Sequence, residues 1–183
     1  VTIGCTGWII SNGKYISAGH CLSTSAATLE FNVPPSLSDG TLQHPGPEDQ
    51  YAINQSTWVF QNGGVGNDWG VFEVFDNSET GLQPIDAQNA SFTLVQDLGP
   101  VNIRITGYGV DFDDADRTQT LQTHVGPNAG SSGTTMGYQA DTEGGNSGSP
   151  VIDDATGFAV GVHSHGGCST LGTGNNSGTS TFH

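Results

Sequence analysis

Positive charge is the scarcest resource in this sequence. Its 183 residues hold only 3 lysines and arginines against 18 acids, a formal net charge of −15. Binding a phosphate backbone needs clustered Lys and Arg to displace condensed counterions. Lys14, Arg104 and Arg117 are scattered, so nucleic acid is excluded as a partner. No run approaches the roughly 20 apolar residues of a membrane-spanning helix, which argues against a membrane anchor. The opening residues VTIGCTGWII lack the basic start of a signal peptide. Helical periodicity is almost absent, and at 11% charged residues the chain is neither a charge-rich tail nor a helical bundle.

Cysteine is scarce too. Cys5 and Cys21 bracket a short apolar segment ending in Gly19-His20, the arrangement of a loop-closing disulfide, and Cys168 is left over. Such a bridge contributes about 3 kcal/mol in the chain-entropy model. Because disulfides persist in exported proteins, the expected location is extracellular.

What the sequence does have is glycine, 28 residues of it, and short apolar or alternating runs between turn-formers. That pattern predicts an all-β fold. Strands are expected near 6–10, 14–18, 27–32, 56–61, 69–75, 101–107, 119–125, 134–140, 149–153, 157–164 and 178–182. The connectors 34–40, 44–50 and 60–68 are expected on the surface. Residues 76–100 show no clear period and suit a passage between two β-lobes of roughly 90 residues each. The partition expected is 1–90 and 91–183.

Three short blocks carry chemistry. His20 follows an apolar strand in Ser17-Ala18-Gly19-His20-Cys21, Asp68 opens another in Asn67-Asp68-Trp69-Gly70-Val71, and Ser147 lies in Gly144-Gly145-Asn146-Ser147-Gly148-Ser149-Pro150-Val151. Taken singly, each suits a structural role: a surface turn for the serine, a strand-end histidine, a turn aspartate. Together they supply a nucleophile, a base to activate it and an acid to orient the base. The glycines around Ser147 let the backbone curl so that successive N–H groups face a developing oxyanion.

In these blocks the sequence resembles the chymotrypsin-fold, trypsin-like serine endopeptidases. Ile105-Thr106-Gly107-Tyr108-Gly109 with Leu121-Gln122, and Gly161-Val162-His163-Ser164-His165-Gly166-Gly167-Cys168, resemble further segments of that family. The resemblance implies two packed antiparallel six-stranded-type β-barrels with the active site in the cleft between them. It implies a secreted, monomeric enzyme that acts on polypeptides without a cofactor or metal. His20, Asp68 and Ser147 would be its triad, and the N–H groups of Gly145 and Ser147 its oxyanion hole. The Ser164–Gly166 backbone would pair with an extended substrate as an added strand.

Two departures matter. Asn146 stands where digestive members carry an aspartate that pairs with a new N-terminus, so activation through that ion pair is not expected. Cys168 aligns with a half-cystine whose usual partner position is Glu143 here. With its D-T-x-G-G-x-S-G-S-P-V pattern, the sequence is nearest in motif to the bacterial glutamyl endopeptidase branch.

Specificity is contested by two residues. Asp141, six positions before Ser147 and followed by Thr142, resembles the pocket-floor acid that selects Arg or Lys. His163, just before Ser164, resembles the histidine with which glutamyl endopeptidases hold an acidic side chain, and the imidazole with nearby hydroxyls suits a carboxylate. Acidic specificity is the expectation, although a chain this acidic repels such substrates at long range. Other classes compete as well. His163, His165 and Cys168 form an H-x-H-x-x-C pattern that would suit zinc. The acids of Asp111-Phe112-Asp113-Asp114-Ala115-Asp116 suit a calcium loop or, more simply, a solvated surface loop. A catalytically inactive β-rich binding module is the remaining alternative.

Overall fold

The computed structural model describes residues 4–22, 26–97, 99–168 and 173–183. The first five strands are β1 (Trp8–Ile9), β2 (Tyr15–Ser17), β3 (Thr28–Glu30), β4 (Gln50–Asn62) and β5 (Asp68–Val74). They form one antiparallel sheet in the order β1-β2-β5-β4-β3. The next six are β6 (Asn102–Gly107), β7 (Gln122–Ser132), β8 (Thr135–Tyr138), β9 (Pro150–Asp153), β10 (Ala159–His165) and β11 (Asn176–Ser180). These close into a barrel. Two short helices, α1 (Gly19–Leu22) and α2 (Pro84–Gln88), complete the described elements with two 3-10 turns.

The all-β class and the pairing of two β-units agree with expectation, with one difference in detail. Among the described residues the first unit is an open sheet, whose edge strands β1 and β3, of two and three residues, do not pair with each other. Both free edges instead line an apolar groove of about 380 Å³ with Phe31, Phe92 and Tyr108.

Three apolar clusters hold the molecule together, and burial of such side chains stabilises by about 1.5–3 kcal/mol each. One fills the sheet around Tyr15, Leu22, Tyr51 and Phe72, and another fills the barrel around Ile103, Ile105, Met136 and Val151. The third joins the two units, with Trp8, Ile10 and Ile16 of the sheet against Ala159 and Val162 of β10.

Strand parity then positions the chemistry. Along β5 the buried residues are Asp68, Gly70, Phe72 and Val74, one face of a period-two strand. The acid at the head of the strand is therefore carried inward by the same alternation that buries Phe72. The expected strand at 56–61 is part of β4, whose pairing with β5 shifts register between Asn54 and Val59. That bulge, with polar residues around it, hid the strand's true length. Residues 76–100 run from β5 to β6 and carry α2 and two single bridges, Ile10 to Phe92 and Leu94 to Ala159.

Candidate active site

His20 sits in α1, one residue before Cys21, which is bridged to Cys5. Its Nδ1 lies 2.6 Å from Asp68 Oδ2, and its backbone N–H donates to Asp68 Oδ1 at 2.9 Å. Both oxygens of the carboxylate therefore hold one residue, fixing the ring and its tautomer. Asp68 is 1% exposed. Burial raises its pKa, but the bonds and charge of His20 and the charge of His165 outweigh that, holding it below the ordinary carboxylate value. From the barrel, Thr179 clasps the same residue. The Asp68 N–H donates to Thr179 Oγ1 at 3.0 Å, and that hydroxyl donates to the Asp68 carbonyl at 3.1 Å.

Ser147 lies half-buried on the turn between Thr142 and Pro150. Four consecutive carbonyls of this turn are tied down. Gly144 O accepts from Val110 N–H (2.8 Å), Gly145 O from Thr6 Oγ1 (3.0 Å), Asn146 O from Ser149 N–H (2.9 Å) and Ser147 O from Thr6 N–H (2.8 Å). In a trans peptide the N–H points opposite to the carbonyl. Pinning Gly144 O and Asn146 O thus aims the N–H groups of Gly145 and Ser147 the other way. Among the described residues these two N–H groups donate to no acceptor, whereas the intervening Asn146 N–H donates to Glu143 O at 3.2 Å. Two free, fixed donors flanking a serine are suited to a developing negative oxygen.

Two glycines allow this path. Gly145 has φ +100°, and a Cβ there would lie 2.5 Å from Tyr108 O. Gly148 has φ +91°, and a Cβ there would collide with the Thr6 carbonyl and the Ser17 hydroxyl. Gly148 therefore lets the serine turn pack against the end of β2, immediately before the His20 turn. Trp8 Nε1 holds it there with a 2.8 Å bond to Gly148 O.

The specificity candidates divide. His163 is 3% exposed, and its Nδ1 lies 2.7 Å from the Tyr138 hydroxyl. Its backbone ties β10 to the serine turn, since Gly148 N–H donates to His163 O at 2.8 Å. Between His163 and His165 the β10–β11 register shifts, so the two do not follow simple alternation. His165 instead bonds Ser164 Oγ through Nδ1 (2.8 Å) and brings its ring 6.3 Å from that of His20. Among the described residues the H-x-H-x-x-C pattern gathers no zinc-ligand set with Cys168. Gly166 is exposed beyond the end of β10, and β9 pairs with β10 only as far as Val162. Among the described residues no strand pairs with Ser164–Gly166 on that side.

Asp141 lies just before the serine turn. It is exposed, its N–H bonds His124 Nδ1 at 2.9 Å, and it lines a depression of about 260 Å³ with Asp111, Asp113 and Glu143. Thr142 accepts a bond from Asn176 Nδ2 at 2.8 Å. In the 111–116 loop, Asp111 Oδ1 accepts the N–H groups of Asp113 and Asp114, a self-capped surface turn.

Several residues that position the site carried no signal in the sequence. Asn176, 1% exposed, donates to Ala140 O and Thr142 Oγ1 and accepts from the N–H groups of Gly167 and Cys168. It bolts two segments together from within a Gly/Asn-rich stretch that reads as a turn. Thr6 acts through its hydroxyl and its backbone N–H, Thr179 through its hydroxyl, and Tyr138 reads as core.

Burial, reinforced by the nearby His165 and His20, lowers the His163 pKa to about 4. In the unfolded chain it returns to its ordinary 6.5. Between those values the unfolded state binds more protons, so stability falls as pH is lowered from 6.5 towards 4. The loss amounts to about 3 kcal/mol, or roughly 6–12 °C in melting temperature for a chain of this size. Calorimetry across this range checks it, with His163→Leu expected to flatten the slope; equal slopes for both proteins would contradict the assignment.

Comparison with known proteins agrees with this fold. The family model described as Trypsin matches residues 2–181. The glutamyl endopeptidase of Bacillus licheniformis is 30% identical over 159 residues, covering 83% of this chain and 46% of that protein. The chain thus spans about half the length of this curated relative. Among solved structures, a Glu endopeptidase in complex with MPD superposes with a TM-score of 0.69 at 22% identity, covering 98% of this chain and 82% of that one. The thermostable serine protease AL20 from an extremophilic microorganism gives 0.71 at 15% identity, covering 96% and 83%. With a match over nearly its whole length, the chain belongs to the trypsin family.

Proposed function

We propose that the chain is a serine endopeptidase that cleaves after acidic residues. Ser147 Oγ attacks the scissile carbonyl while His20 Nε2 takes its proton. Asp68 keeps the His20 proton on Nδ1 and stabilises the ring once it is charged. The N–H groups of Gly145 and Ser147 receive the oxyanion. His20 then returns the proton to the leaving amine, and a water activated by His20 hydrolyses the acyl-enzyme. The observation that carries this reading is the turn whose carbonyls are all tied away from two free N–H groups, with the Asp68–His20 pair beside it.

The acidic preference is supported by the placement of the two rival residues. His163 is buried beside the serine turn, whereas Asp141 is exposed in a depression that it shares with the acids Asp111, Asp113 and Glu143. The similarity to a protein named glutamyl endopeptidase points the same way. Matched chromogenic peptides ending in Glu, Arg or Ala test it. Faster cleavage after Glu is expected; rapid cleavage after Arg with none after Glu would overturn it. The Cys5–Cys21 disulfide supports action outside the cytoplasm, on polypeptide substrates.

A further inference from the structure

We propose that Tyr138 is a positioning residue that fixes the tautomer of His163, so that a neutral Nε2–H is offered to the substrate carboxylate. The functional half of this inference rests on the acidic preference proposed above; the tautomer itself does not.

The geometry comes from three neighbouring strands. β11 lies between β8 and β10 in the barrel, with Gly178 paired to Met136 on one side and His163 on the other. A Cβ at Gly178 would lie 3.1 Å from the Tyr138 hydroxyl. The bare backbone at 178 thus gives the hydroxyl room to reach across β11 to His163 Nδ1, 2.7 Å away.

Hydrogen-bond accounting then sets the direction. Tyr138 is fully buried, and among the described residues its hydroxyl is bonded to His163 Nδ1 alone. A proton on Nδ1 would point at the phenol oxygen and leave the phenol's own hydrogen buried without an acceptor. Such an unsatisfied buried donor is costly. The hydroxyl therefore donates, Nδ1 accepts, and the ring proton resides on Nε2. Which nitrogen of a neutral histidine carries the proton is decided by the bond the other makes. Burial keeps the phenol protonated and the imidazole neutral, so the arrangement persists across the neutral range.

The chemistry follows. The opposite tautomer would turn a lone pair toward an incoming carboxylate and repel it. The fixed Nε2–H gives a directed hydrogen bond to an oxygen acceptor without the cost of a buried positive charge. Recognition thus begins with a neutral donor rather than a ready-made cation.

Nitrogen-15 spectra of histidine-labelled wild-type protein, which require no variant, should show His163 protonated on Nε2. Tyr138→Phe keeps the ring and removes only the hydroxyl. In it the His163 signal should move toward Nδ1–H or an averaged position. For a Glu peptide kcat/KM should fall about 10- to 100-fold, chiefly through KM, while an Ala peptide changes less than twofold. Melting temperature is followed to show that the variant is folded. Nδ1–H in the wild type would overturn the proposal, and so would a parallel loss on Glu and Ala peptides. If the wild type shows Nε2–H yet has no preference for Glu, the acidic specificity fails while the Tyr138 assignment stands.

Discussion

Ser147→Ala is expected to fold normally and to cleave peptides more slowly by a factor on the order of 10⁶. The fold should be spared because the serine turn is shaped by its backbone. Thr6, Val110 and Ser149 hold its carbonyls, and Trp8 holds Gly148 O. None of these ties uses the Ser147 hydroxyl. The half-buried side chain loses one oxygen and little packing, so stability should change by about 0.5 kcal/mol or less. What is lost is the atom that bonds to the substrate carbon, and the remaining oxyanion donors can only assist water. A fluorophosphonate should label wild type and not the variant. Undiminished turnover would remove Ser147 from the mechanism, and folded wild type that resists labelling would favour a binding module.

The second large effect is expected at Asp68. Asp68→Asn can keep one contact, since an amide oxygen still accepts the His20 backbone N–H where Oδ1 does now. The amide nitrogen then faces His20 Nδ1 in place of Oδ2. An NH₂ group donates, so Nδ1 must become the acceptor and the ring proton moves to Nε2, which should face the serine as a base. The histidine is then blocked as a proton acceptor, and kcat should drop on the order of 10⁴-fold. Because the proton can be withdrawn by hydroxide, activity of the variant should climb at alkaline pH while wild type stays level. A variant within tenfold of wild type at pH 7 would refute this role.

How much of this was legible differs from residue to residue. His20, Asp68 and Ser147 stood out because their neighbours are as constrained as they are: a helical turn after β2, the head of an alternating strand, and glycines at positive φ. Chemistry and backbone demand coincided at those three sites. The Cys5–Cys21 bridge was legible for the same reason, being short in sequence. The readings that needed revision involve broken periodicity. A bulge after Asn54 disguised half of β4, and another between His163 and His165 interrupts the register of β10 with β11. Asp141 depends on the path of a loop, which spacing from Ser147 does not determine. Least legible were Thr6, Tyr138, Asn176 and Thr179, each of which has at least one partner over 20 residues away and no local pattern of its own.

Those long separations have a consequence in time. Asp68 is clasped by a residue 111 positions later, Gly145 by one 139 positions earlier, and Gly148 by one 140 positions earlier. Contacts of such span form late, because the chain must close large loops before they return any energy. A chain emerging from the ribosome, or one refolding from denaturant, will have strands and a packed sheet well before it has a usable serine. The geometry proposed for cleavage is thus the last to be assembled, after the sheet and barrel that carry it.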